Sequence, residues 1–380
     1  MEINKLLDIA GTYRNTSFLG RYISQETIDS FINTFPETHK SIIGTSVEKR
    51  PITQLKLGEG SIKVLMWSQM HGNETTTTKA LIDFIGFLQS NSAEAKEILS
   101  QISFTIIPQL NPDGAKAYTR VNKNAVDLNR DAQDCTQPES RAFKKVYKEL
   151  QPHFCFNLHD QRTIFGVGKP AKPATVSFLS PAFNDSRALN DTREKAMKLI
   201  VYMNQSLQET IPNQVGRYDD GFNLNCVGDT LQNLGFPTIL FEAGHFQNDY
   251  QRAETRKFIF ISLLKGIWGI IKNKYEDVDY RDYFKIPENE KCFYDILIKN
   301  IGNREDSLAI QYKEVLKDNK LIFLPFLVKE IGKKFTYGHH EIDAKGAILT
   351  INSILDFSKI TEIQEISLDG KKFSLNLTKT

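Results

Sequence analysis

The chain carries almost no excess charge of either sign. Its 48 Lys and Arg stand against 46 Asp and Glu, a formal net charge of +2, which gives no reason to expect a nucleic acid or an anionic membrane as partner. Cysteine is scarce as well. Cys135, Cys155, Cys226 and Cys292 lie far apart with no Cys-x-x-Cys pair, which argues against a zinc knuckle and a disulfide framework and fits a reducing cytoplasm. Long hydrophobic runs are missing. The longest, "FIFISLLKGIWGII" at 258–271, is broken by Lys265 and too short to span a bilayer, so it reads as a buried helix. The opening "MEINKLLDIAGTYRN" has no basic stretch ahead of an apolar core, hence no signal-peptide pattern, and a cytoplasmic protein is expected. Internal repeats and low-complexity tracts are also absent.

What is present is an ordinary globular composition, 40% hydrophobic and 25% charged. Its 380 residues exceed what one hydrophobic core usually supports. Short apolar runs at 61–70, 102–110, 153–160 and 236–244 read as strands, mostly buried on both faces, and Cys155 within the third reads as a small buried hydrophobe. Helical patterns separate them. One follows residue 75, with Leu81, Ile82, Phe84, Ile85 and Leu88 on its apolar face. A second is announced by Thr136-Gln137-Pro138-Glu139, read as a capping box with proline inside; others run through 187–209 and 253–273. This alternation predicts an α/β domain with a mixed, largely parallel sheet covered on both faces. Beyond Asn273 the stretch 274–291 is charged, aromatic and helix-poor, a linker. Residues 292–380 look like strands, the last a hairpin turned at Asp369-Gly370. The expected domains are therefore 1–273, with the chemistry, and a small β-rich unit at 292–380 whose default role is structural.

In such sheets ligands sit beyond the carboxyl ends of the strands. His71, Asn111, His159 and Glu242 all fall at or just past such ends. "HGNE" places His71 and Glu74 at a strand-to-helix seam. Asn73 could simply cap that helix, with Glu74 favoured by the helix dipole. The sharper reading is a metal site. A hydrolytic zinc wants three protein ligands and an open position, and two His with one Glu is a standard set; of the seven histidines, His159 ends a buried strand and is the candidate third ligand. The polar segment 111–132 opens with the turn Asn111-Pro112-Asp113-Gly114 and carries Arg120, Asn129 and Arg130, groups suited to gripping a carboxylate or a developing oxyanion. Asp160 could orient a ligand or stand as a solvated strand end. His245 reads as structural. The stretch 166–185, with three prolines, is long and irregular enough to wall or gate a pocket.

His-x-x-Glu, then Asn-Pro-Asp-Gly, then an arginine ahead of "DLNR", a strand-ending histidine and "FEAG" together resemble the zinc carboxypeptidase family, over roughly residues 55–260. The resemblance implies a mixed sheet of about eight strands and one zinc per chain, held by His71, Glu74 and His159. It implies Glu242 as general base toward a zinc-activated water, Arg120 as oxyanion stabiliser, and Asn129 and Arg130 as the grip on a substrate's terminal carboxylate. Tyr218 in "GRYDDGFN" stands nearest to the family's closing tyrosine, with a spacing that departs from better-known members. Val227, Gly228 and Asp229 fall where the family places its pocket floor. The implied activity is hydrolysis of a peptide's C-terminal amide bond. "HGNE" and "DLNR" also resemble the aspartoacylase and succinylglutamate desuccinylase group, zinc deacylases of N-acyl amino acids. A catalytically silent zinc- or carboxylate-binding module would require a broken site, and no expected group is missing. The expected partner is a peptide or acyl amino acid with a free carboxylate.

Overall fold

In the run Val64-Leu65-Met66-Trp67 every side chain is fully buried, as a strand requires when both faces of its sheet are covered. A computed structural model describes residues 1–302, 306–328, 336–353 and 363–377. Its site-bearing domain begins with α1 (Ile3–Thr12), α2 (Gln25–Ile32), β1 (Lys40–Thr45), β2 (Pro51–Leu57), β3 (Ile62–Ser68), α3 (Thr76–Leu88), α4 (Ala93–Gln101) and β4 (Ile102–Ile107). It continues with α5 (Pro112–Ala117), α6 (Pro138–Leu150), β5 (Phe154–Asp160), β6 (Phe165–Val167), β7 (Lys172–Pro173) and β8 (Val176–Leu179). α7 (Asp191–Gln208), β9 (Val215–Arg217), α8 (Val227–Asn233), β10 (Thr238–Ala243) and α9 (Ala253–Ile271) complete it. The expected mixed sheet is there: eight strands in the order β1-β2-β4-β3-β5-β10-β8-β9. β4, β3, β5 and β10 are mutually parallel; β2 runs against both β1 and β4, and β8 runs against β10 but parallel to β9.

Alternate residues of each strand feed two cores. Val64, Met66, Phe156 and Phe241 pack with α1, α2, α3, α7 and α9, while Leu65, Trp67 and Cys155 pack with Phe143 of α6 and Leu231 of α8. The run at 258–271 is indeed a buried helix, within α9. From β3 the chain crosses by α3 and α4 to β4 on the first face. From β4 it returns by α6 on the second face to β5, on β3's other side. The connections part between β3 and β5, and that is where an open α/β sheet leaves a crevice.

Three local expectations need correcting. The capping box at Thr136 does not form. Asp131 accepts from Thr136 N (2.8 Å), Thr136 Oγ1 (2.8 Å) and Gln137 N (3.0 Å). Glu139 turns away to accept from Val47 N (3.2 Å) and Asn122 Nδ2 (3.2 Å). A carboxylate brought from five residues upstream outcompetes the local box. Asn111-Pro112-Asp113-Gly114 is no open turn but the start of α5, capped by Asn111 Oδ1 on Gly114 N (2.9 Å). A Cβ on Gly72 would collide with the backbone of Gly114 and Ala115, so this helix start and the "HGNE" loop touch main chain to main chain. And 166–185 is only partly irregular, since short strands β7 and β8 and most of β6 interrupt it.

Residues 274–277 and 280–285 form 3₁₀ turns, with Tyr275, Tyr283 and Ile286 buried in the first core. Then come β11 (Glu290–Lys291), β12 (Phe293–Ile301), β13 (Asp306–Lys317), β14 (Lys320–Leu327), β15 (Tyr337–Asp343), β16 (Leu349–Ser353), β17 (Ile363–Leu368) and β18 (Lys371–Lys372). β14-β13-β12-β15 make one sheet and β16-β17-β18 another, while β11 joins β6 and β7. Asp369 and Gly370 both have positive φ, 46° and 75°, as the tight hairpin needs. Parts of the expected strand runs, at 329–332, 354 and 360–362, lie outside the described residues.

The N-terminal arm is stapled by Arg256 of α9. Its Nε donates to Asp83 Oδ2 (2.6 Å), Nη1 to Phe18 O (2.6 Å) and Nη2 to Asn15 O (2.9 Å), while Asn15 N donates to Asp83 Oδ1 (2.7 Å). Both charged side chains are buried. Truncating one partner of such a pair strands the other charge, at about 3–5 kcal/mol. Asp83→Ala should therefore lower stability by that amount in urea unfolding; an unchanged midpoint would show that the carbonyls alone hold Arg256.

Candidate active site

The register of the parallel strands sets the site. Glu242 of β10 lies directly beside His159 of β5, and β3 ends next to β5 with Ser68 opposite Leu158, three residues before His71. His71 Nδ1 is 2.7 Å from Glu74 Oε1, and His159 Nδ1 is 2.8 Å from Glu74 Oε2. The two Nδ1 atoms are 3.1 Å apart. One small cation could touch all three side chains, whose ligand atoms lie within 4.8 Å of one another. All three are buried.

Asp127 backs this trio. Its Oδ1 sits 3.1 Å from His71 Nε2, and its Oδ2 accepts from Arg120 Nε at 2.9 Å. A proton on His71 Nε2 facing this carboxylate leaves Nδ1 free as a ligand, the outer-shell arrangement that metal-binding histidines use. Sequence reasoning missed Asp127, although it is the first residue of the quoted "DLNR". Asp160, considered for the orienting task, does something else. It accepts from Thr76 N (2.7 Å) and Thr77 N (3.0 Å) and so caps α3, whose own N-cap, Thr75, makes no capping bond and donates its hydroxyl to Arg21 O instead. Asn73 is therefore not the cap; it lines the cleft instead.

The trio opens on a cleft of about 830 Å³ lined by Arg120, Asn129, Arg130, Tyr218, Asp229 and Glu242, among others. Every residue singled out from the sequence for metal, catalysis or the substrate's carboxylate thus reaches one cavity. Arg120 Nη1 approaches Glu74 Oε1 at 3.6 Å. Asn129 Oδ1 accepts from Val227 N (2.9 Å), and Arg130 spends one Nη1 bond on Asn129 O (2.7 Å), leaving most of its fork for a ligand. Tyr218 packs at a tilt against Phe165, ring centroids 5.3 Å apart; burial, then the Glu242 and Glu74 charges, raise its phenol so that it stays a donor. Burial likewise raises Glu242 well above the usual carboxyl range, with Glu74 and Asp160 adding repulsion, and Glu242 Oε2 has no hydrogen-bond partner among the described residues.

Of the pocket-floor trio, Gly228 and Asp229 line the cleft while Val227 packs into the second core. Leu179 and Pro181 of the proline-bearing stretch wall it. His245 lies apart, buried against the rings of Tyr250 and His339. The wall sequence reasoning did not foresee comes from the C-terminal strands: Asp295, Gln311, Tyr312, Lys313, Glu314, Phe323 and Phe326 all face the same cleft.

Two measurements follow. Removing His71 or His159 by alanine substitution should abolish stoichiometric zinc after dialysis, while His39→Ala leaves it intact; retention in both ligand variants would dissolve the metal centre. Asp229 is pushed up to about 6 by burial, against the opposing pull of Asn223 N and Arg130. A carboxyl with a raised folded pKa binds more protons folded than unfolded between about 4 and 6, so its contribution to stability falls as pH rises through that window. Asn can keep the Asn223 N bond (3.1 Å) without the charge. Asp229→Asn should raise stability by about 1–2 kcal/mol above pH 6, discounted for the open cleft, and by nothing near pH 3.5; a pH-independent difference would refute the assignment.

Residues 25–163 match the family model described as zinc carboxypeptidase. Carboxypeptidase M of Mus musculus is 30% identical over 170 residues, 37% of this chain and 38% of that protein. Carboxypeptidase E of Caenorhabditis elegans is 29% identical over 194 residues, 44% of this chain and 39% of its own length. The chain thus spans less than two fifths of these curated relatives. Among solved structures, a metallo-carboxypeptidase from Burkholderia cenocepacia superposes with a TM-score of 0.53 at 17% identity, over 67% of this chain and 70% of its own. Bovine thrombin-activatable fibrinolysis inhibitor, solved in complex with tick carboxypeptidase inhibitor, gives 0.53 at 19%, over 69% and 99%. At such identities the structures speak for the fold alone. The chain is thus similar to the zinc carboxypeptidases: the family model matches residues 25–163, and the fold is one that solved carboxypeptidases share.

Proposed function

We propose that this chain is a metallocarboxypeptidase that hydrolyses the C-terminal amide bond of a peptide. The observation that carries the reading is the convergence of His71, Glu74 and His159 beside Glu242 in a cleft that also holds Arg120 and Arg130. The convergent Nδ1 atoms and carboxylate are a donor set that suits zinc. Bound there, zinc supplies Lewis acidity, which can bring the pKa of water from 15.7 to about 7 and polarise a carbonyl.

The chain's own groups do the rest. Arg130 and Asn129 hold the substrate's terminal carboxylate, the guanidinium through a charge-assisted fork. Arg120, anchored by Asp127, donates to the oxygen that gains charge as the carbonyl is attacked. Glu242 takes a proton from the attacking water and passes it to the leaving amine; a carboxyl raised by burial holds that proton long enough to transfer it. Tyr218, kept protonated, closes over the substrate as a donor. Four thiols with no disulfide suit the reducing cytoplasm as its place of work. No helix among the described residues is long and apolar enough to cross a membrane.

A second reading, a zinc deacylase of N-acyl amino acids, is favoured by one observation: the C-terminal strands wall the cleft, which suits a short acyl group. Comparing kcat/KM for free peptides, their C-terminal amides and acetyl or succinyl amino acids separates the two. The peptidase should cleave free peptides and lose roughly 2–5 kcal/mol of transition-state binding on amides, which leave Arg130 unpaired. Equal rates on amides would remove the carboxylate grip, and turnover of acyl amino acids alone would make the chain a deacylase. Glu242→Gln should retain zinc yet lose about 10²- to 10⁴-fold in kcat.

A further inference from the structure

The C-terminal strands enter the cleft on one side. Glu314 of β13 accepts Arg21 Nη1 (2.9 Å), Arg21 Nη2 (3.1 Å) and Tyr118 Oη (2.6 Å). Asp295 of β12 accepts Tyr250 Oη (2.9 Å), Gln311 Nε2 (2.8 Å) and Tyr312 N (2.7 Å). Gln311 Nε2 also donates to Thr163 Oγ1 (3.0 Å). An aromatic group spans the two units here, with Tyr250 to Tyr312 at 5.5 Å and Tyr250 to Phe323 at 5.7 Å between ring centroids. None of these contacts involves Asn129, Arg130 or Asp229, which line the same cleft and whose bonds run to other segments: Val227 N donates to Asn129 and Asn223 N to Asp229. If the substrate's carboxylate lies on Arg130, its acyl part extends toward β13 and β14.

The charges on that side are unequal in availability. Both carboxylates of the wall are committed, Glu314 to Arg21 and Tyr118, Asp295 to three donors. Lys313 of β13 and Arg162, which follows β5, are exposed, line the cleft and make no hydrogen bond or ion pair among the described residues. Two cations therefore share the cleft with Phe165, Phe323 and Phe326, where both described carboxylates of the C-terminal wall are already bound.

We propose that β13 and β14 form the subsite for the acyl side of the scissile bond, and that Lys313 and Arg162 select an acyl group bearing a carboxylate, such as an acidic residue or a dicarboxylic acyl cap. The subsite rests on the carboxypeptidase reading for its direction, and its ligand is a short one, because about 830 Å³ is the size of a cavity that encloses a drug-sized molecule. The test uses the full zinc-loaded chain and three peptides that differ only in carrying Glu, Gln or Lys before the scissile amide. Their kcat/KM should rank Glu over Gln over Lys, with at least a tenfold span. Lys313→Glu and Arg162→Glu should each reduce or reverse it without lowering the melting temperature, since both side chains are exposed. The same peptides are titrated by calorimetry into the Glu242→Gln chain, where binding is read without turnover. If no peptide is cleaved but the Kd values still rank Glu, Gln, Lys and respond to Lys313→Glu, the subsite stands and the peptidase reading falls. A flat ranking in both measurements, or one that neither charge reversal moves, overturns the subsite; so does a failure of all three to bind.

Discussion

Everything at this site hangs on the parallel pairing of β3, β5 and β10. Because the connections to β4 and β5 leave on opposite faces, the sheet edge between β3 and β5 is uncovered, and only there can the ends of both strands point side chains into one space. Parallel register then fixes Glu242 level with His159. A slip of one residue in either strand would turn the side chain to the wrong face. The strand ends are clasped as well as paired: the buried Arg252 donates to Ala243 O (2.7 Å) and Gln161 O (2.9 Å), and Gln161 N donates to Ala243 O (2.9 Å). A guanidinium bound by carbonyls alone is a costly way to hold two strands, and here it ties them just past His159 and Glu242, the pair that the proposed chemistry needs side by side.

What was legible in the sequence was what is local or periodic. The four buried strands announced themselves as continuous apolar runs, and α3, α6, α7 and α9 by helical spacing. His71 and Glu74, three apart at a strand-to-helix seam, could be read together because one turn of backbone brings them together. His159 and Glu242 were readable as strand-end polar groups. Their adjacency was not, since it depends on strand order, which no short window contains.

The misses have the same cause. Asp131 displaced the expected capping box, and Asp160 took the capping of α3 from across 84 residues, because a carboxylate that reaches two main-chain donors at once satisfies more of a helix's first N–H groups than one local oxygen. Asp127 was overlooked for the opposite reason: it sat inside the motif, but its neighbours had the more familiar side chains. The C-terminal unit was opaque throughout. Its strands carry no motif, and Lys313 is one lysine among many until β13 is seen to lie against Arg21, Thr163 and Tyr250.

Three carboxylates crowd this sheet edge, Glu74, Asp160 and Glu242, and their surroundings differ in a way that decides what each can do. Glu74 is met by two imidazoles and by the main-chain N–H of Asp160 (3.1 Å). Asp160 is met by the first N–H groups of α3, where the helix dipole also favours a negative charge. Glu74 is held ionised by its two imidazoles, and Asp160 is committed to the start of α3. Glu242 has repulsion from both and no donor on Oε2 among the described residues. Groups whose surroundings push their proton affinities apart divide the acid and base work between them. Glu74 is committed to the two histidines and Asp160 to the helix, while Glu242 alone of the three keeps an oxygen with no donor among the described residues.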